Sequence, residues 1–212
     1  MDAWQADLQY AMTIETLDGN YVIRPPRNLI IEIPEGGQFI LKNTFWEDLR
    51  FPAAGINPPG AASDPTVDTT DGRLVFSASA ENIVAIQVQM PHAWREGSTI
   101  HPHIHWSPTS TNTGNVKWQL KYKVANINEV FPAEWTTITA LQAGAGVSDT
   151  HQIVDFEDNL PMPGKTFSCM LLLLISRLGN DVADTYTGTA KLNEIDIHYE
   201  INGFGTSNEY SR

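Results

Sequence analysis

Cysteine is almost absent from this 212-residue chain: Cys169 is the single one, so no disulfide can form within it. Its neighbours are apolar, which marks it as a small buried hydrophobe rather than a nucleophile. Basic side chains are scarce as well. Thirteen Lys and Arg stand against 25 Asp and Glu, a formal charge of −12, whereas phosphate backbones and anionic lipid surfaces are held by clustered Lys and Arg. Neither nucleic acid nor a membrane is an expected partner. The longest apolar run, Cys169 to Ile175, has seven residues, against the roughly 20 of a bilayer-spanning helix; it reads as a buried strand. The opening residues carry Asp2 and Asp7 and lack the basic-then-apolar pattern of a secretion signal. Heptads, solenoid repeats and a collagen-like period are missing, so the chain is not expected to be a fibre shaft.

What the chain does have is alternation. Charged residues are only 18% and apolar residues 42%, a balance that folds around a core. In Val84 to Met90 every second residue is apolar, with Gln87 and Gln89 on the opposite face. Trp118, Leu120, Tyr122 and Val124 share one face against Gln119, Lys121 and Lys123, and Ile195, Ile197, Tyr199 and Ile201 stand against Asp196, His198 and Glu200. Period two means strand. Weaker strand signals cover Leu29 to Ile33, Gln38 to Leu41, Leu74 to Phe76, Trp135 to Leu141, Gln152 to Phe156 and Phe167 to Ser176, giving about ten strands in all. Phe167 to Ser176 is apolar on both faces and is expected mid-sheet, covered on each side.

These signals predict an all-β chain: a jelly-roll-like two-sheet β-sandwich in a single domain over 1–212, with an N-terminal extension and arm in 1–70 and the main sandwich in 71–212. Helix is expected only as short turns, near Asn43 to Leu49, where Asn43 or Thr44 would cap. Phe51 to Thr70 contains Pro52, Pro58, Pro59, Pro65, Gly55 and Gly60. Each proline removes a donor, so the segment is expected to be a long loop, either plain surface or an arm across a neighbouring subunit.

The most unusual stretch is Ile100-His-Pro-His-Ile-His-Trp106. His101, His103 and His105 are half of the six histidines and alternate along one expected strand, so their rings share a face at intervals of about 6.6 Å, twice the strand rise. Neutral imidazole is the commonest metal ligand, and a divalent metal ion on His101, His103 and His105 is one expectation; a polar ladder at a surface or interface is the other. Pro102 points to an edge strand or a subunit contact. Within one chain the ion needs a further ligand, for which Glu96, His92, His151 and His198 are candidates. Around a threefold axis each subunit supplies imidazoles, and the ion becomes a staple between chains.

Enzyme readings find less support. A cupin-type site follows His-x-His closely with Glu, but after His105 the next acid is Glu129. A non-haem iron triad sets a carboxylate beside a His, and here Pro102 and Ile104 fill those places. Ala143-Gly-Ala-Gly146 lacks the Lys of a phosphate loop, and no Gly-x-Ser-x-Gly elbow occurs. The acid pairs Glu157/Asp158 and Asp181/Asp184 read as solvated charge. Trp46, Trp94, Trp106 and Trp135 could stack on sugars, while Trp118 falls in a core set.

On Trp46-Glu-Asp-Leu-Arg-Phe-Pro52, the loop Asn57-Pro-Pro-Gly60, Ile100 to Trp106, Gly114-Asn-Val-Lys-Trp118 and Glu194-Ile-Asp-Ile-His-Tyr199, the chain resembles a family of tailed-bacteriophage and prophage virion proteins. The likeness runs over nearly the whole chain. It implies a structural component of the virion, on the capsid surface or the tail, made in the host cytoplasm. A compact sandwich with a Pro-rich arm and a threefold histidine cluster suits a trimeric knob on a capsid lattice. The leading expectation is therefore a capsid decoration, or cement, protein that performs no catalysis and whose partners are its own copies and the major capsid protein. A tail-associated adaptor or host-attachment module that binds a receptor or glycan is the alternative, and a cupin-like metalloenzyme comes third.

Overall fold

The structure, a computed structural model, describes residues 13–17, 20–24, 45–58 and 60–208. The chain divides into two units, Met1–Phe39 and Ile40–Arg212. In the first, β1 (Thr13–Leu17) and β2 (Asn20–Arg24) pair antiparallel as a hairpin closed at Leu17 and Asn20. The strands expected at Leu29 to Ile33 and Gln38 to Leu41 lie outside the described residues.

The second unit is all-β. Its strands are β3 (Phe45–Pro52), β4 (Thr66–Val67), β5 (Leu74–Phe76), β6 (Glu81–Gln89), β7 (His101–Pro108), β8 (Asn115–Ala125), β9 (Thr136–Ala143), β10 (Gln152–Asp155), β11 (Met170–Leu178) and β12 (Ala190–Ile201). One six-stranded sheet runs β10-β7-β12-β5-β4, with β3 also paired to β12; the second runs β6-β11-β8-β9. Every pairing is antiparallel. The sheets face each other as a jelly-roll-like sandwich. Their alternating apolar residues meet between them: Trp118 of β8 packs edge-on against Phe76 of β5 (5.3 Å) and Trp106 of β7 (6.3 Å). Each such side chain adds about 1.5–3 kcal/mol by leaving water. Among the described residues no helix is long and apolar enough to cross a membrane.

Four expectations are corrected. Residues 45–52 form β3, not a helical turn, because eight consecutive residues pair with β12 and Leu49 and Phe51 pack on the core; this tertiary pairing overrides a local cap signal. The Pro-rich loop begins with the end of β3, and part of it is tied to its own sandwich. The Ser63 carbonyl accepts from the Ile83 N–H, Pro65 is buried and Thr66–Val67 pair with β5. β11 is central in its sheet, yet only one face enters the core: Met170, Leu172 and Leu174 are part-exposed on the other. β7 is interior, not an edge. Pro102 is accommodated because β10 runs opposite His103 to Trp106 only, so the proline lies past its end.

One irregularity determines the outer surface. Between Leu192 and Glu194 the register of β12 against β7 slips by a residue, a bulge at Asn193. Ala190 and Leu192 point into the core before it, and Ile195, Ile197 and Tyr199 after it. The extra residue thus restores the apolar phase and sends Glu194, Asp196, His198 and Glu200 outward.

Candidate functional site

The outward side of the six-stranded sheet gathers the histidine row. In the register, Pro102 and Ile104 point inward, so His101, His103 and His105 share the outer face. Antiparallel pairing brings Asp196 of β12 directly opposite His103, His198 opposite His101 and Glu194 opposite His105. On the far side of β7, Asp155 of β10 is also opposite His103. Beyond β12, Asp48 and Arg50 of β3 sit opposite His198 and Asp196.

Asp196 is the centre of the cluster. Its side chain is only 7% exposed, and three imidazoles surround it: His103 Nδ1 lies 3.5 Å from Oδ1, and His105 Nε2 and His198 Nε2 lie 3.5 and 3.4 Å from Oδ2. His103 Nε2 meets Asp155 Oδ1 at 2.9 Å, and His198 Nε2 meets Asp48 Oδ1 at 2.9 Å. The rings of His103 and His198 touch edge to face at 4.3 Å. One donor atom from each of His103, Asp196 and His198 lies within 4.8 Å of the others. Glu194 accepts from Nε and Nη2 of Arg50, at 2.5 and 2.8 Å, which engages the guanidinium beside the cluster.

The electrostatics follow from this arrangement. Burial pushes the Asp196 carboxyl up, but His103, His105 and His198 outweigh it and hold it below the usual carboxylate range. Its partner responds in kind: Asp196 raises the His103 pKa above its ordinary value, burial opposes, and Asp155 and Asp48 add to the rise. Three carboxylates, Asp48, Asp155 and Asp196, stand around these imidazoles.

The other sequence candidates have further or different partners, and His105, though its Nε2 faces Asp196, is turned to His151 by its other nitrogen. His101 packs edge-on against Trp46 at 5.1 Å. His105 Nδ1 lies 2.7 Å from His151 Nε2, with the rings stacked at 5.0 Å. His92 is bonded to Ser168 Oγ and the Thr206 carbonyl, and Glu96 accepts the Phe167 N–H. Thus the row does not converge on one point, and His198 is the candidate further ligand that joins His103. Sequence reasoning missed Asp196, Asp155 and Asp48. It sought a carboxylate beside the histidines along the chain, whereas the carboxylate comes from across the ladder. The available signal was the Asp196-Ile-His198 polar half of the best-patterned strand. Trp94 and Trp106 are fully buried, which removes them as sugar platforms, while Trp46 remains half-exposed.

No family model matches the chain, and no curated protein matches it. Among solved structures it is similar to a family 35 carbohydrate-binding module from Cellvibrio japonicus Abf62, at 12% identity over 78% of this chain and 100% of that one, with a TM-score of 0.44. It is also similar to the insecticidal delta-endotoxin Cry8Ea1 from Bacillus thuringiensis, at 10% identity over 72% of this chain and 23% of that one, TM-score 0.40. A third likeness is to infectious bursal disease virus, Gx strain, at 8% identity over 90% of this chain and 40% of that one, TM-score 0.37. At these identities and scores the likenesses carry no argument about function.

Proposed function

We propose that this chain is a structural, non-catalytic protein of a tailed-phage virion, and more narrowly a capsid decoration protein that forms trimeric knobs and ties the major capsid protein lattice together. One observation carries the reading. Three of the five segments on which the likeness to virion proteins rests, 46–52, 100–106 and 194–199, fold into the neighbouring strands β3, β7 and β12, and their polar side chains make one outer face. Residues scattered over 150 positions converge there for a purpose other than the core, which is built from the alternate residues of the same strands. β3 adds an edge at which Phe45 and Trp46 are half-exposed, a site suited to contact with another chain.

The test is the native mass of the purified chain together with co-sedimentation on capsid shells of the encoding phage. A trimer that binds shells saturably and raises their heat resistance is expected; a monomer that leaves shells unchanged refutes the reading. Host attachment is the second reading, favoured by Trp46, whose half-exposed indole lies on the same face and offers a sugar ring a stacking surface. Glycan binding abolished by Trp46→Ala would select it.

A further inference from the structure

We infer that His103, Asp196 and His198 form a binding site for one divalent transition-metal ion, supplied entirely by a single chain. The inference is independent of the virion reading and replaces the staple between subunits with a site complete in each copy.

Two buried atoms of the cluster lack partners. His103 Nε2 faces Asp155 Oδ1 at 2.9 Å, a contact that places the proton of a neutral ring on that nitrogen. The other nitrogen, Nδ1, then presents a lone pair. It is buried and has no hydrogen-bond partner; the same is true of Asp196 Oδ1, 3.5 Å away. Two buried lone pairs facing each other repel, and each lacks the bond that burial demands. A cation between them satisfies both.

The spacing fits such an ion. Tetrahedral zinc with ligand bonds of about 2.0–2.1 Å sets neighbouring donors about 3.3–3.4 Å apart. His103 Nδ1 lies 3.5 Å from Asp196 Oδ1 and His198 Nε2 lies 3.4 Å from Oδ2, and one donor atom from each of the three residues lies within 4.8 Å of the others. The backbone holds these donors in place: His103 and Asp196 are direct cross-strand partners, and His198 follows two residues along β12 on the same face. Asp155 faces the outer nitrogen of His103 as a second-sphere carboxylate faces a metal-bound imidazole, and the ion would displace from His198 Nε2 any proton shared with Asp48 Oδ1, 2.9 Å away. With Asp48, Asp155 and Asp196 converging here and Arg50 engaged by Glu194, the local field draws cations. Two nitrogens and one oxygen favour zinc, cobalt or iron over calcium or magnesium, which prefer oxygen alone.

The test uses the untagged full chain after chelator treatment, titrated with zinc chloride by calorimetry and with cobalt chloride by visible absorption. Uptake of one ion per chain is expected, with a rise in melting temperature. Asp196→Asn and His198→Gln should each weaken affinity by at least about tenfold, while His101→Gln, whose ring packs on Trp46, stays within about twofold. Matched circular dichroism establishes that the variants fold; His198, which is part-exposed, provides the readout should Asp196→Asn not fold. A folded protein whose melting zinc does not move, or parental affinity in His198→Gln, overturns the inference and leaves a proton on His103 as the occupant of the gap. Because no shell is present in these measurements, failure here is separate from failure of the virion reading.

Discussion

Removing the carboxylate of Asp184 should destabilise the sandwich by about 3–5 kcal/mol, the cost of leaving a buried charge without its counter-ion. Arg177 is wholly buried at the end of β11, as is the Asp184 side chain. The guanidinium donates from Nε to Asp184 Oδ2 at 2.9 Å and from Nη2 to Oδ1 at 2.8 Å, and it also reaches the carbonyls of Gly188 (2.8 Å) and Tyr186 (2.6 Å). It thereby ties the 179–188 segment across the mouth of the core, with its face over the Tyr186 ring. Asp184→Ala keeps the carbonyl bonds but strands the cation. Arg177→Met should cost at least as much, because those carbonyls then lose their donor, at about 1–3 kcal/mol each where they stay dry. The double variant should be no worse than Arg177→Met alone, since both changes dismantle one network. Urea unfolding followed by tryptophan fluorescence measures all three. Against a total stability of about 5–15 kcal/mol, the shift is large. A cost below about 1 kcal/mol for Asp184→Ala, the value of an exposed pair, would refute the reasoning, as would additivity in the double variant.

Burial pushes the Cys169 thiol up to about 12, so the native protein should resist thiol reagents at pH 8 and react fully in denaturant; rapid native labelling would contradict its place in the core. Gly114 sits against the Thr185 carbonyl, where a Cβ has no room, while Gly203 has open space around it. Gly114→Ala should therefore lower stability by about 1–3 kcal/mol or more, with Gly203→Ala near neutral, and equal melting temperatures in the two variants would count against the fold. Acid should act through Asp68, Asp71, Asp181 and Glu129. Each is held below the ordinary carboxylate range, the first three by Lys191, Arg73 and Lys117 and the last by the Asn126 N–H and Lys165. A carboxylate whose folded pKa is depressed stabilises fully above its unfolded value and loses that contribution as pH falls through the folded one. The contribution of these carboxylates should be level near neutrality, and melting temperature should decline below about pH 4; no decline down to pH 2 would exclude these contacts.

Strands were legible wherever one face is buried and the other wet. The alternations of Val84 to Met90, Trp118 to Val124 and Ile195 to Ile201 fall in or beside β6, β8 and β12 with the expected residues buried, apart from Tyr122 and Ile201, which pack on the core part-buried. β3 was hidden because it is a poorly covered edge strand: of its residues only Leu49 and Phe51 are even part-buried, so no apolar period marks it. Half of the cluster could be read and half could not. The histidine row is visible as spacing along one strand. Asp196 became its neighbour only through a register that joins positions about ninety apart and through a one-residue bulge that no local pattern announces. Arg177 was equally opaque. A lone arginine ending an apolar run gives no sign that its counter-ion lies on the next loop.

β12 leaves the ribosome after every other described strand of the sandwich, yet it lies in the middle of its sheet, flanked by β7 on one side and by β3 and β5 on the other. Until it arrives, its future neighbours have no common partner and their exposed borders invite mispairing between nascent copies. Chain closure over such long separations is slow, so the edge of the histidine strand that faces β12 stays unpaired in the early life of each molecule. Any fragment ending before residue 190 should accumulate as aggregate, however well its other sheet folds.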